Sequence, residues 1–335
     1  MAASPTVAAA RQSWLGALAL AILYTPGAAM VVALMMLNAF VTGSAALRTL
    51  RADTQPTGQP VSVIVLTGIA LWIGVIAVSL PFAVHFQATY VLMLAAPLVA
   101  FPDITVDALK RVARFLGARD AQSGRERALS ALIAALALIH ALLAARPVVG
   151  FDASTMHLQF AEMLGHDHRW RFDVGRYAWA VMPLGADLQF AAAYLLDGER
   201  AARLLNLVFG GVLATVSYQL LSMHARRDVA LAAVALVISA PIAFLETSSL
   251  YVENLWTAFL LASLFASLSW MRQGNAQGCV AALLCAAGVM QCIVGDRKLL
   301  AVARLQPSTC HCCAATRNSN WPTASSNTHA SVSRI

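Results

Sequence analysis

Charge is what this sequence lacks most. Only 12% of its 335 residues are Asp, Glu, Lys or Arg, against roughly 25% in an ordinary soluble domain. No charged residue occurs between Arg11 and Arg48, and none occurs from Thr54 to Pro102. Because 59% of the residues are hydrophobic, uncharged runs of this length favour a bilayer as the solvent. The predicted fold class is therefore an all-α polytopic membrane protein.

Other absences exclude several classes of function. No cysteine precedes Cys279, a distribution unlike a disulfide framework. The sequence contains no G-x-x-x-x-G-K-[ST], G-x-G-x-x-G or G-x-S-x-G motif, so ATP-driven transport and serine-hydrolase chemistry have no local support. Despite a net charge of +7, the basic residues are scattered between apolar runs and form no stripe. Nucleic acid is therefore not expected as a partner.

The uncharged runs have room for about seven or eight membrane spans. The run 12–47 is either one long tilted span or two short spans broken at Pro26-Gly27. Later spans are predicted near 128–146, 204–224, 229–246, 253–271 and 276–294. The segment 103–127 holds the densest basic charge, and the positive-inside rule places it in the cytoplasm. Alternation then places the long polar segment 147–203 on the extracytoplasmic side, together with Glu246 to Glu253.

The segment 147–203 is predicted to carry two helices that lie along the membrane surface. The first covers Thr155 to Leu164 and has an apolar face made by Met156, Phe160, Met163 and Leu164, with His157, Gln159 and Glu162 off that face. The second begins at Pro183 and ends at Leu196. Asp197-Gly198 is a helix-stop signal, so the next membrane helix should begin near Glu199.

Two acids are candidates for chemistry at this surface. Asp152 precedes the first surface helix, and its carboxylate could either cap that helix or act as a general base. Glu253 begins a later span on the same side. It could be an anion favoured at a helix start, or it could position an acceptor or bind a cation with Asp152.

The basic and aromatic part of the segment, HDHRWRFDVGRY, also has two interpretations. Arg169, Arg171 and Arg176 could clamp a phosphate through their planar guanidinium groups. Alternatively, they contact lipid headgroups, with Trp170, Tyr177 and Trp179 as interfacial anchors. His157, His166, Asp167 and His168 are metal-ligand types but form no defined ligand set, so no metal site is predicted. His140, inside a span, could be bonded to a neighbouring helix.

Three runs resemble a known family: FDASTMHLQFAEML, PLGADLQFAAAYLLDGERAARLLNLVFGGVLATVSYQL and SAPIAFLETSSLYVENLWTAFLLASL. The resemblance is to bacterial membrane glycosyltransferases of the GT-C fold, in the polyprenyl-phosphate-sugar-dependent branch related to protein mannosyltransferases and lipid A sugar transferases. The matching positions are Asp152 and His157, then Pro183, Leu184 and Gly185, then Tyr251, Val252 and Glu253.

The resemblance implies an inverting sugar transfer at the outer face of the bacterial inner membrane. Asp152 would be the general base and Glu253 the second catalytic acid, with His157 and Tyr251 at the substrate. The three loop arginines would stabilise the departing phosphate of a polyprenyl-phosphate-linked sugar donor. Membrane lipids are the other expected partner, and no cofactor is implied beyond an optional divalent cation.

The chain divides into four expected parts: N-terminal helices and a cytoplasmic loop at 1–127, a GT-C-like core at 128–275, a last span at 276–303, and a tail at 304–335. The tail has no apolar periodicity and is expected to be disordered or out of frame, which would truncate the enzyme. A non-catalytic fragment is thus one alternative function. A transporter or flippase is another, although the spans after residue 204 carry no ionisable residue at their centres.

Overall fold

The fold is all-helical throughout the described part of the chain. The structure is a computed structural model that describes residues 25–49, 59–117, 123–147, 150–177, 179–180, 184–274 and 276–293. Within these ranges the regular secondary structure is helix alone. The predicted tail 304–335 and the first part of the run 12–47 lie outside the described residues. The predicted all-α class is confirmed.

The helices follow one another with short connections. They are α1 (Pro26–Thr49), α2 (Val61–Ser79), α3 (Gln87–Ala100), α4 (Pro102–Gly117), α5 (Gly124–Ala144), a π-helix (Ala153–Leu158), α6 (Gln159–Asp167), α7 (Gly185–Ser222), α8 (Arg227–Ser239), α9 (Pro241–Ser248), α10 (Glu253–Gln273) and α11 (Ala276–Ile293).

Five of these helices are long and apolar enough to cross a bilayer: α1, α2, α5, α7 and α10. The pairs α3–α4 and α8–α9 pass the same test together but bend by 92° and 65°, so the described residues provide up to seven spans. A shorter apolar stretch, Gln277–Val289, lies within α11. The chain is a multi-pass membrane protein.

Two boundaries differ from the prediction because of proline. The segment 103–127 was predicted as a loop, but α4 begins at Pro102, a favoured first helical position, and continues to Gly117. The predicted span 229–246 is broken at Ala240, whose ψ of 137° is extended. A residue before proline avoids the helical region, so α8 ends there and α9 begins at Pro241.

The predicted stop at Asp197-Gly198 is confirmed inside α7. Asp197 has φ −151° and ψ 27°, and Gly198 has a positive φ of 74°, so α7 is two helices joined by a kink. Glycine takes that conformation without a Cβ clash. The first half of α7 matches the predicted second surface helix, although it starts at Gly185, and Pro183 lies outside the described residues.

Two glycines bring the backbones of α1 and α2 together. A Cβ on Gly43 would lie 2.0 Å from the carbonyl oxygen of Ile64, and one on Gly68 would lie 1.9 Å from that of Ala39. Such small residues let membrane helices pack by close van der Waals contact, since lipid provides no hydrophobic force between them.

Buried polar side chains in the bundle satisfy carbonyl groups that broken helices leave free. Pro97 has no N–H for the carbonyl of Met93, and the Asn38 amide donates to that oxygen at 3.3 Å and to the oxygen of Leu94 at 2.7 Å. His140 likewise bonds the carbonyl of Ile238 at 2.9 Å, where α8 ends, and contacts the hydroxyl of Thr247. The interpretation of His140 as a residue bonded to a neighbouring helix is confirmed.

Different polar groups lie at the two ends of the helix bundle. Arg48 pairs with Asp107 at 3.7 Å, and Arg227 lies 3.9 Å from Glu126, at the end where α1 finishes and α5 and α8 begin. The polar segment after α5 lies at the other end. There the backbone N–H of Trp170 donates to the carbonyl of Leu80 at 2.7 Å, at the last residue before the α2–α3 loop. This separation agrees with the predicted alternation of the spans.

Candidate functional site

Asp152 stands at the start of the helical part of the polar segment. Its φ of −61° and ψ of −45° are already helical, and its side chain makes no capping hydrogen bond. An N-cap residue would be non-helical and would accept a bond from the following backbone N–H groups. The capping interpretation is therefore wrong, and the exposed carboxylate is available to other groups.

His157 is buried, with only 5% of its surface exposed. Its Nδ1 lies 2.6 Å from Oδ1 of Asp187, which is 2% exposed and sits in the first turn of α7. The prediction that His157 lies off the apolar face is wrong, although Phe160 and Leu164 are buried as predicted. The reason is that His157 precedes Phe160 by three positions and Leu164 by seven, so all three side chains lie on one helix face.

The charges around His157 favour its protonated form. Burial of the imidazole lowers its pKa, but attraction to Asp187, the hydrogen bond to Asp187, and the further attraction of Glu253 and Asp152 outweigh burial. The net effect raises the pKa of His157 above its ordinary value. The carboxylate partner also fixes the orientation of the ring.

Tyr251 joins the same group of side chains. Its ring meets the ring of His157 edge to face, with 6.2 Å between centroids. Burial raises the pKa of the Tyr251 hydroxyl, and the negative charges of Asp152, Glu253 and Glu246 raise it further. A Cβ placed on Gly150 would lie 3.8 Å from the Tyr251 hydroxyl oxygen, so the backbone leading to Asp152 passes close to this ring.

Glu253 has a carboxyl partner that the sequence did not reveal. Glu253 is exposed at the first residue of α10, and its carboxyl group is hydrogen-bonded to that of Glu246 in α9. The Oε2 atom of Glu246 is buried and has no hydrogen-bond partner among the described residues. Two carboxyl groups this close repel each other when both are ionised.

Two buried asparagines hold the connection between α9 and α10 in place. The Asn206 amide donates to the carbonyl of Glu246 at 2.6 Å and to the carbonyl of Ser249. Asn254 in turn donates to Oδ1 of Asn206 at 3.3 Å. These bonds satisfy carbonyl groups at the end of α9, where the helix stops. They thereby set the position of the residues on either side, Glu246 and Tyr251.

The three predicted arginines lie on the neighbouring segment. Arg176 is paired with Asp167 at 2.7 Å, and Arg169 and Arg171 are exposed. His166 donates to Asp167 as well, and this bond, more than the contact with Arg176, lowers the pKa of the Asp167 carboxyl.

The aromatic residues of that segment differ in their surroundings. Trp170 and Tyr177 are only 4% and 7% exposed, so the prediction that they anchor the loop in the membrane interface is wrong. Trp170 packs against Phe160 at 4.6 Å between centroids, and its indole N–H donates to the carbonyl of Ala180. Trp179 is 44% exposed, as an interfacial residue would be. Trp170 is thus the centre of a small core that shapes the segment.

The residues of metal-ligand type in this segment make contacts with other parts of the protein. The His168 ring packs on Phe86 at 4.0 Å, and its Nδ1 lies 3.2 Å from the carbonyl of His85. Within the described ranges, no group of three or more His, Cys, Asp or Glu side chains has the geometry of a metal site.

The geometry thus brings together four of the predicted residues, Asp152, His157, Tyr251 and Glu253. No family model matches this chain, and no curated protein or solved structure does either. We call these four residues, with Asp187 and Glu246, the acid–imidazole cluster.

Sequence reasoning missed Asp187, Glu246 and Asn206. Asp187 carried one usable signal, since it is an acid in the first turn of an otherwise apolar helix. Glu246 was counted as the end of the predicted span 229–246, and Asn206 as part of the preceding span 204–224. The hydrogen bonds of Asp187 and Asn206 could not be predicted locally, because they join residues 30 to 48 positions apart.

Proposed function

We propose that the chain is a membrane glycosyltransferase that moves a sugar from a polyprenyl-phosphate donor to a hydroxyl of an extracytoplasmic lipid or glycan, in the bacterial inner membrane. The observation that supports it most is the acid–imidazole cluster at one end of an apolar bundle. A water-facing carboxylate, Asp152, stands there beside residues held by buried partners. A lipid-linked donor and an acceptor at the membrane surface can both reach such a place.

The proposed reaction is one inverting displacement. The acceptor hydroxyl gives its proton to the Asp152 carboxylate as its oxygen bonds to the anomeric carbon. The bond from that carbon to the phosphate oxygen breaks on the opposite side, and the phosphate leaves with the electron pair. No covalent bond to the protein forms.

The other residues of the cluster and the nearby arginines are proposed to position the substrates and to stabilise the leaving phosphate. His157, held by Asp187, would donate a hydrogen bond to the substrate from a ring whose protonated form the neighbouring carboxylates favour. Glu253 and Tyr251 would orient the acceptor. Arg169, Arg171 and Arg176 are proposed to meet the departing phosphate, for which guanidinium groups are well matched. Arg176 would then exchange its contact with Asp167 for the phosphate.

The test is transfer of a radiolabelled sugar from polyprenyl-phosphate donors, in membranes that contain the wild type, Asp152→Asn or Glu162→Gln. Glu162 is a matched control, because its carboxylate is also exposed in the same segment. We expect Asp152→Asn to lower transfer by about 100-fold or more, the usual effect of losing a general base. Glu162→Gln should transfer at the wild-type rate.

Two results would contradict the proposal. Equal transfer by wild type and Asp152→Asn would remove Asp152 from the mechanism. No transfer by folded wild-type protein, across a panel of donor sugars, would overturn the assignment of a glycosyltransferase to this chain.

A further inference from the structure

A cleft lies between α1, α2, α3 and the first half of α7, away from the acid–imidazole cluster. Its walls are mostly apolar: Met35, Ile76, Met93, Leu94, Ala192 and Leu196. The inner residues are buried, and Met93, Leu94 and Leu196 are half-buried at its edge. Gln189 reaches the cleft from α7 and is two residues from Asp187, so the two side chains point to different faces of that helix.

Two residues that line this cleft each carry a buried hydrogen-bond donor without an acceptor. The indole Nε1 of Trp72 and the amide Nε2 of Gln189 are both buried, and neither has a partner among the described residues. Gln189 is only 4% exposed. An unpaired N–H at membrane depth costs several kcal/mol, and native structures seldom leave one. Two in one cleft indicate an acceptor that both can reach.

Two other polar side chains that line the cleft are already engaged. The Asn38 amide donates to the carbonyl of Leu94, and the hydroxyl of Tyr90 is bonded to Nδ1 of His85. Trp72 and Gln189 therefore lack a hydrogen-bond acceptor, and a bound molecule would have to provide one. None of the residues that line the cleft is charged, so an anion would be desolvated without a counter-charge.

We infer that this cleft binds a neutral molecule through an oxygen atom that accepts hydrogen bonds from both Trp72 and Gln189. Two sources provide this chemistry in a membrane. One is a water molecule held inside the bundle, and the other is an ester carbonyl of a lipid acyl chain that enters between α3 and α7. In both cases the oxygen joins α2 to the helix that carries Asp187.

The test measures the indole hydrogen bond of Trp72 directly. Ultraviolet resonance Raman spectra of the intact protein are recorded in nanodiscs of ester-linked phosphatidylcholine and of its ether-linked analogue, which has no carbonyl. Subtracting the spectrum of Trp72→Phe isolates the Trp72 band. The same subtraction with Trp170→Phe gives the reference for a bonded indole, because Trp170 donates to the carbonyl of Ala180 at 2.9 Å.

Each outcome decides the matter. A bonded Trp72 band in both lipids supports the site with water as its source, and a bonded band in ester lipid alone supports the lipid carbonyl. A band of an unbonded indole in both lipids overturns the proposal. Gln189→Leu should weaken the Trp72 hydrogen bond, since it removes the second donor that holds the shared oxygen. An unchanged band in Gln189→Leu would overturn the two-donor site.

Discussion

Two buried histidines, each 5% exposed, lie in different parts of this molecule. The ring of His140 stacks on Phe244 at 4.1 Å between centroids and bonds a backbone carbonyl and a hydroxyl, which are neutral groups. The ring of His157 instead bonds the carboxylate of Asp187 and lies in the field of Asp152 and Glu253. Equal burial therefore accompanies two different roles. One ring holds broken helices together, and the other lies among carboxylates that favour its charged form.

The same contrast separates the bundle interior from its outer end. Asn38 and His140 satisfy carbonyl groups left free where helices α3 and α8 are interrupted. In a bilayer every such group needs an internal partner, so these side chains are structural. The acid–imidazole cluster gathers like charges instead, an arrangement that costs stability and is typical of functional sites. The partner's charge, more than burial, distinguishes the two regions.

The largest expected loss of stability follows from breaking the pair of His157 and Asp187 at the outer end of the bundle. Asp187→Leu leaves the His157 ring buried without its carboxylate, and breaking a buried pair in this way costs about 3–5 kcal/mol. The double variant Asp187→Leu/His157→Leu should recover much of that loss, because an apolar pair of similar volume is tolerated. Reversible unfolding in mixed micelles measures both. Losses that simply add in the double variant would show that the two side chains are not coupled.

For the bundle interior we expect a smaller loss of unfolding free energy. Asn38→Leu should cost about 1–2 kcal/mol, because it removes the amide that bonds the carbonyls of Met93 and Leu94. Pro97→Ala restores a backbone N–H that can bond the Met93 carbonyl. It should therefore stabilise the Asn38→Leu variant more than the wild type in the same unfolding measurement. An equal effect in both backgrounds would contradict the link between Asn38 and Pro97.

The smallest expected effect is a pH dependence of the unfolding free energy to which His157 contributes. The pKa of His157 is raised in the folded state, so its proton stabilises the fold below the unfolded value of about 6.5. This contribution is lost as the pH rises through the folded pKa, at about 1.4 kcal/mol for each unit between the two pKa values. Unfolding free energies from pH 5 to 9 should therefore fall on the alkaline side.

His157→Gln should flatten this part of the profile. His224→Gln is the matched control, because His224 is exposed at the opposite end of the bundle, and it should keep the wild-type slope. If the slope persists in His157→Gln, another group is responsible for it.

Much of the architecture could be predicted from local sequence. The Asp197-Gly198 kink and the start of a helix at Pro26 follow from residues that restrict the backbone at their own positions. The burial of His157 also follows from local spacing, because positions 157, 160, 161 and 164 share one helix face. Its partner Asp187 could not be predicted in this way, because it lies 30 positions further along the chain.

The sequence by itself determined that this is a helical membrane protein. It also predicted that the basic helix ends and the one long polar segment lie on opposite sides of the membrane. Those properties depend on the length of uncharged runs and on the positions of the charges along the chain. An apolar bilayer core selects for the first, and the positive-inside rule depends on the second. Only the tertiary structure decided which polar residues act together. His157 meets Asp187 across 30 positions, Asn38 meets Leu94 across 56, and His140 meets Thr247 across 107. Packing of helices brings such residues into contact, and no local pattern records it.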